Sequence, residues 1–202
     1  MEEKTLTQEQ SIELISQMIR NTRNYVERNA GRPFLIWGYA TVVTALAVWW
    51  AARTTNDPRW MWLWFALPII GSVGMLLTRR PAEQHITTQI DRITGYVWIV
   101  CGLACSLCSL AAVFVPVRIP ILFIVTLLVG IGTAITGLII RYPLCTGFGF
   151  FGIVASGLLL AIRSVDACLL FAGVFAVMCV VPGHILNHKS NRSCRQRSCS
   201  NR

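Results

Sequence analysis

The chain has 202 residues, 54% hydrophobic and only 13% charged, with a formal net charge of +9 and a mean hydropathy of +0.59. A soluble domain carries roughly 25% charged residues, so an ordinary water-soluble globule is excluded. A disordered chain would not hold this much apolar surface, and eight cysteines in 202 residues are too sparse for a disulfide-stapled secreted fold. What remains is an all-α protein embedded in a membrane.

Residues 1–32 are polar, and the pattern predicts an amphipathic helix over 7–30. At about 100° per residue, Ile12, Leu14, Ile15, Met18, Ile19, Tyr25 and Val26 fall on one half of the wheel. Glu13, Gln17, Arg20, Arg23, Asn24, Glu27 and Arg28 take the other half. Thr5 with Gln8, or Thr7 with Gln10, supplies a capping box, and Gly31 with Pro33 supplies the stop. Two uses of the apolar face stand side by side. It packs on the membrane surface or on the inner ends of its own spans, or it docks a protein partner or a second copy through Ile12, Ile15, Ile19 and Val26. The polar face mixes both signs of charge, unlike the Lys/Arg-rich face of a lipid-binding helix.

Charged residues then divide the chain into uncharged runs at 33–52, 60–78, 93–117, 119–140, 142–162 and 167–188. About 20 helical residues cross a hydrocarbon core of roughly 30 Å, so each run fits one span. The fourth run contains ILFIVTLLVGIGTAITGLII, with thirteen Ile, Leu, Val or Phe and no charge. Spans are expected at about 33–52, 60–78, 93–115, 119–140, 143–162 and 167–187. The domain 33–188 is thus a polytopic six-helix transmembrane unit arranged as three hairpins, and 189–202 is a basic cytoplasmic tail. Trp49 and Trp50 close the first span and Trp60, Trp62 and Trp64 open the second, an aromatic belt at one interface.

Fourteen of the eighteen basic residues fall in the N-terminal segment, the second and fourth loops and the tail, against four (Arg53, Arg59, Arg118 and Arg163) on the other side. By the positive-inside rule both termini are cytoplasmic, as an even number of spans requires. The net charge is therefore a topology signal, and nucleic acid is not an expected partner. No cleavable signal peptide is recognisable, and the first span is expected to act as an uncleaved anchor.

Each hairpin opens on glycine and an aromatic residue (Gly38-Tyr39, Gly95-Tyr96, Gly147-Phe148), and LLTRRP (76–81) parallels LIIRYP (138–143). This regularity is either an internal repeat or shared interface chemistry. Pro68 and Pro182 lie inside apolar runs and should kink spans two and six. Gly130 with Ala134, and Thr133 with Gly137, are small-xxx-small pairs for close helix packing.

Motifs that imitate chemistry have bland readings. GFGFFG (147–152) matches a dinucleotide fingerprint in letters alone, because no strand precedes it. Cys101, Cys105 and Cys108 share a helix face but read as small buried hydrophobes. His184 and His188 one turn apart, with Cys194 and Cys199 downstream, have the ligand types of a zinc site without its spacing, so no metal, cofactor or catalytic residue is assigned. No Asp, Glu, Lys, Arg or His lies deep in any run, and an enzyme is not expected. A non-catalytic scaffold or regulatory module is the first expectation. A channel or carrier for a small neutral solute is the second, with Thr41, Thr44, Ser72, Thr126, Thr133 and Thr136 as candidate path residues.

At PFLIWGY (33–39), WLWFALPIIG (62–71), DRITGYVWIV (91–100), IPILF (119–123) and VPGHILNH (181–188), the chain resembles a group of small six-span bacterial inner-membrane proteins with no assigned activity. The resemblance implies a multi-pass protein of the bacterial inner (cytoplasmic) membrane, and carries no activity or cofactor.

Overall fold

The computed structural model describes residues 8–55, 57–78, 89–115, 119–162 and 164–188, with only the helical path given for 8–30. The side-chain environments of Ile12, Ile15, Ile19 and Val26, the capping residues Thr5 and Thr7, and the tail with Cys194 and Cys199 lie outside the described residues. Everything described is helix or short connection, and no strand occurs among the described residues. Helix α1 runs Gln8–Thr55, and α2 (Ala66–Leu77) follows a 3-10 turn at Pro58–Phe65. Then come α3 (Gln89–Phe114), α4 (Ile121–Ile140), α5 (Pro143–Ala161) and α6 (Ala167–Phe175). A π-helical turn at Ala176–Val180 carries α6 on to His188.

Six segments are long and apolar enough to cross a membrane: Gly31–Thr55, Arg59–Leu77, Arg92–Phe114, Ile121–Ile140, Pro143–Ala161 and Ala167–His188. They match the six expected spans closely. Large apolar side chains cover the outside, among them Leu77, Phe114 and Val154, each more than three-quarters exposed, while Thr41, Thr44, Thr126, Thr133, Thr136 and Ser156 are buried. A fold surrounded by water has the reverse polarity, whereas surrounding hydrocarbon makes the arrangement favourable.

The expected stop at Gly31 and Pro33 is not made. Helix α1 continues through both for 48 residues. Gly31 has a packing role instead: a Cβ there would lie 3.1 Å from Leu186 Cβ and 3.2 Å from the Gly183 carbonyl. A glycine that lets two helices touch looks, in sequence, like one that ends a helix. Pro33 costs one ladder bond, which the tertiary contacts around it tolerate.

The core is formed by α1, α4, α5 and α6, with α2 laid mainly on α1 and α3 mainly on α4. The most extensive contact is between α4 and α5. A Cβ at Gly149 would lie 2.6 Å from Ala134 Cα, one at Gly130 would lie 2.9 Å from the Ile153 nitrogen, and one at Gly137 would strike Thr146. Gly130, Ala134 and Gly137 thus serve the close packing their spacing suggested, and GFGFFG lies within α5, with Gly149 and Gly152 turned into the bundle. The two helices are joined by Arg141 and Tyr142 alone. The Tyr142 N–H donates to the Gly137 carbonyl (2.9 Å) and the Arg141 N–H to that of Leu138 (3.2 Å), a Schellman cap. Arg141 takes the left-handed conformation this cap requires, at φ 55°. Pro143 then starts α5 at a position where its missing N–H costs nothing.

Pro68 and Pro182 both lie beside departures from α geometry. The 3-10 turn gives way to α-helix at Ala66, two residues before Pro68, and the π turn ends two residues before the fully buried Pro182. The three glycine–aromatic pairs are not equivalent. Gly38 is packed against Cys179 and Val180, whereas a Cβ at Gly95 or Gly147 would meet nothing within 4 Å.

These contacts separate packing glycines from open ones. Gly149→Val should lower the thermal midpoint of the detergent-solubilised chain strongly, at a cost of about 1–3 kcal/mol or more. Gly147→Ala should be neutral or stabilising by up to about 1 kcal/mol. Equal midpoints for the two variants would contradict the α4–α5 contact.

Candidate functional site

Hydroxyls in the middle of the bundle are the first candidate. Thr41 and Thr44 lie on α1, Thr126, Thr133 and Thr136 on α4, and Ser156 on α5, all at 4% exposure or less. In hydrocarbon a hydroxyl must find an acceptor, and the nearest is the carbonyl one turn back. Thr41 donates to Trp37 (2.8 Å), Thr126 to Leu122 (2.7 Å), Thr136 to Gly132 (2.7 Å) and Ser156 to Ile153 (2.7 Å). Those four hydroxyls are satisfied within their own helices.

Thr133 differs. Its hydroxyl is fully buried and has no hydrogen-bond partner. It lies twelve residues into α4, roughly 18 Å from that helix's start and thus well inside the bilayer. Its carbonyl accepts a long contact from Cys145 Sγ (3.9 Å). Of the six expected path residues, five are buried, while Ser72 is exposed on α2 and does not join them. Ser156 takes its place in the interior. Its clue in the sequence is the small-residue series Gly149, Gly152, Ala155 and Ser156 at helical spacing, which keeps one face of α5 inward.

The cysteine stripe faces α4. Cys101, Cys105 and Cys108 are half-buried, and Cys101 Sγ donates to the Leu128 carbonyl at 3.7 Å while packing on Gly132. His184 is hydrogen-bonded to the Tyr39 hydroxyl at 2.6 Å, with the two rings edge to face, which joins α1 to span six. Among the described residues no three His, Cys, Asp or Glu side chains gather as a metal would require.

A polar clasp closes the tryptophan end. The Trp49 indole N–H (3.2 Å) and Arg53 Nη1 (2.7 Å) both donate to Asp166 Oδ1, and the Ser164 hydroxyl donates to Oδ2 (3.2 Å). The Trp49 hydrogen bond, with the Arg53 charge and the hydrogen bonds from Ser164 and Arg53, holds the Asp166 carboxyl below its ordinary value against the opposing effect of desolvation. The pairing spans 113 residues, so no local pattern announces it. The one hint is that Asp166 is the only acid after Asp91.

No protein-family model, curated protein or solved structure matches the chain.

Two outcomes follow from these environments. Thr133→Val keeps the shape and removes an orphaned hydroxyl, so the stability should hold or rise by up to about 1–3 kcal/mol, seen as an unchanged or higher thermal midpoint, whereas Thr136→Val should gain less. A loss at Thr133 would mean that its hydroxyl has a partner. Because folding lowers the Asp166 value, the clasp stabilises the fold above the ordinary carboxylate range. That stabilisation is lost as the pH falls through about 3.9 toward the lowered folded value. Thermal melts from neutral pH down to about pH 3 should show a larger acid-induced drop for the wild type than for Asp166→Asn. Equal drops would remove the clasp from the account.

Proposed function

We propose that the chain is a non-catalytic module of the bacterial inner membrane that scaffolds or regulates a partner through its N-terminal helix. In this reading both termini are cytoplasmic and the six spans are arranged as three hairpins, as in the small multi-pass inner-membrane proteins the chain resembles. The contacts of α1 with α2, α3 with α4 and α5 with α6 fit such hairpins, and the α4–α5 contact would join the second hairpin to the third.

One observation supports the docking role above others: α1 is unbroken from Gln8 to Thr55. The 23 residues before Gly31 continue the helix of the first span for roughly 35 Å. A partner seated on the face of Ile12, Ile15, Ile19 and Val26 would therefore act on a rigid rod rooted in the bundle, where Gly31 and Gly38 touch span six. The mixed charges of the opposite face favour protein over lipid as the occupant. The non-catalytic part rests on the sequence, which places no Asp, Glu, Lys, Arg or His deep in a span.

The test replaces Ile12, Ile15 and Ile19 together by Asp. The variant should still insert and melt as the wild type does, and should lose a protein that cross-links to the wild-type N-terminal segment in membranes. An unchanged cross-linking pattern would sink the docking role. Thr133 is the observation that favours the second reading, a carrier or channel for a small neutral solute. Under it, Thr133→Val would also stop solute flux into vesicles, and undiminished flux would leave the hydroxyl a packing defect.

A further inference from the structure

At the end of the bundle opposite Trp49 and Trp60, a shallow cavity of about 360 Å³, open to the surroundings, is lined by Arg32, Leu35 and Ile36 of α1 and by Thr78 at the end of α2. Its lining is graded. Arg32 and Thr78 lie at the ends of their spans, at the level where a bilayer presents headgroups. Leu35 and Ile36 lie three and four residues further in, roughly 5 Å deeper, and present hydrocarbon. Below them α1 and α2 are in close contact, since a Cβ at Gly74 would come within 2.8 Å of Ile36 Cγ2. The Thr78 hydroxyl donates to the Gly74 carbonyl at 2.7 Å, which leaves its oxygen free to accept.

The charge in this cavity is unbalanced. Arg32 is half-buried, and among the described residues no carboxylate pairs with it. The contrast is with Arg53 at the opposite end, which has Asp166 at 2.7 Å. A guanidinium in a partly desolvated wall favours a planar or tetrahedral oxyanion that it can grip with two N–H groups. The hydrocarbon immediately below favours an acyl chain on the same ligand.

We propose that this cavity is a binding site for an anionic phospholipid, with the phosphate on Arg32 and the start of an acyl chain against Leu35 and Ile36. Phosphate, positive charge and apolar wall then succeed each other in the order the lipid itself has. A zwitterionic lipid offers the same phosphate, but its ammonium would be brought close to the Arg32 guanidinium. The site is independent of whatever the N-terminal face binds, and it would hold α1 and α2 together at this end.

Native mass spectrometry of the full chain in a neutral detergent tests the proposal, with dioleoylphosphatidylglycerol and dioleoylphosphatidylcholine as probes. The wild type should retain one phosphatidylglycerol at least about tenfold more tightly than phosphatidylcholine, the margin expected of a charge-assisted bidentate contact. Arg32→Gln should erase that preference, Arg32→Lys should keep part of it, and Arg53→Gln should leave it intact. Millimolar inorganic phosphate should not displace the lipid. Equal retention of the two lipids by the wild type would overturn the proposal without recourse to any variant. So would a preference that survives Arg32→Gln, or displacement by free phosphate, which would make the cavity a simple anion site.

Discussion

Backbone-to-backbone approach at glycine is the contact from which the bundle is built. Between helices in oil there is no hydrophobic driving force, because lipid chains are as apolar as the side chains they replace. Dispersion remains, and it falls away within an ångström of lost contact. Helices that touch through glycine recover it along their whole length. Gly130, Gly137 and Gly149 do this between α4 and α5, and Gly31, Gly38 and Gly183 between α1 and span six. Helices α2 and α3 have fewer such points and lie at the margin, which is why their outer faces carry so many exposed Ile, Leu and Val residues.

The same solvent explains where polar groups lie. A span cannot leave a donor facing hydrocarbon, so four of the interior hydroxyls turn back to carbonyls of their own helix. Such bonds satisfy the side chain without tying one helix to another, and they leave adhesion to packing. Among the described residues, hydrogen bonds between side chains of different helices are placed nearer the span ends instead, with Arg53, Trp49 and Asp166 at one end and Tyr39 with His184 toward the other. Water and headgroups are close there, so an ion pair costs less desolvation.

The six spans were legible because their signal is additive: some twenty apolar residues between arginines leave one interpretation for the class. Gly130, Ala134 and Gly137 were legible for a similar reason, since helical periodicity puts them on one face. Gly31 and Pro33 were misread as a helix end because a local rule was applied where a distant helix decides the outcome. Leu186 and Gly183 lie more than 150 positions away and occupy the space that a side chain at 31 would need. The Asp166 clasp and the Tyr39–His184 pair escaped for that reason too: each joins residues more than a hundred positions apart, and a single sequence has no term for such pairs. Ser72 shows the opposite failure, a residue chosen by type whose helix turns it outward.

The wide turn at Ala176–Val180 draws these strands together. Pro182 has no N–H to offer the carbonyl four residues earlier, and its ring crowds that carbonyl, so the ladder of span six opens just before it. The opened turn leaves Val177 exposed but turns Met178 and Cys179 into the bundle. Met178 from it fills the space over Gly152 on α5, while Cys179 and Val180 lie on Gly38 of α1. An ordinary α-turn would rotate these side chains relative to the rest of span six, and a side chain larger than hydrogen at Gly38 or Gly152 would push the turn away. Proline, wide turn and two facing glycines therefore act as one unit that seats span six between α1 and α5. Gly38 lies within α1, the helix that runs from Gln8 to Thr55, so this unit also anchors that helix to span six.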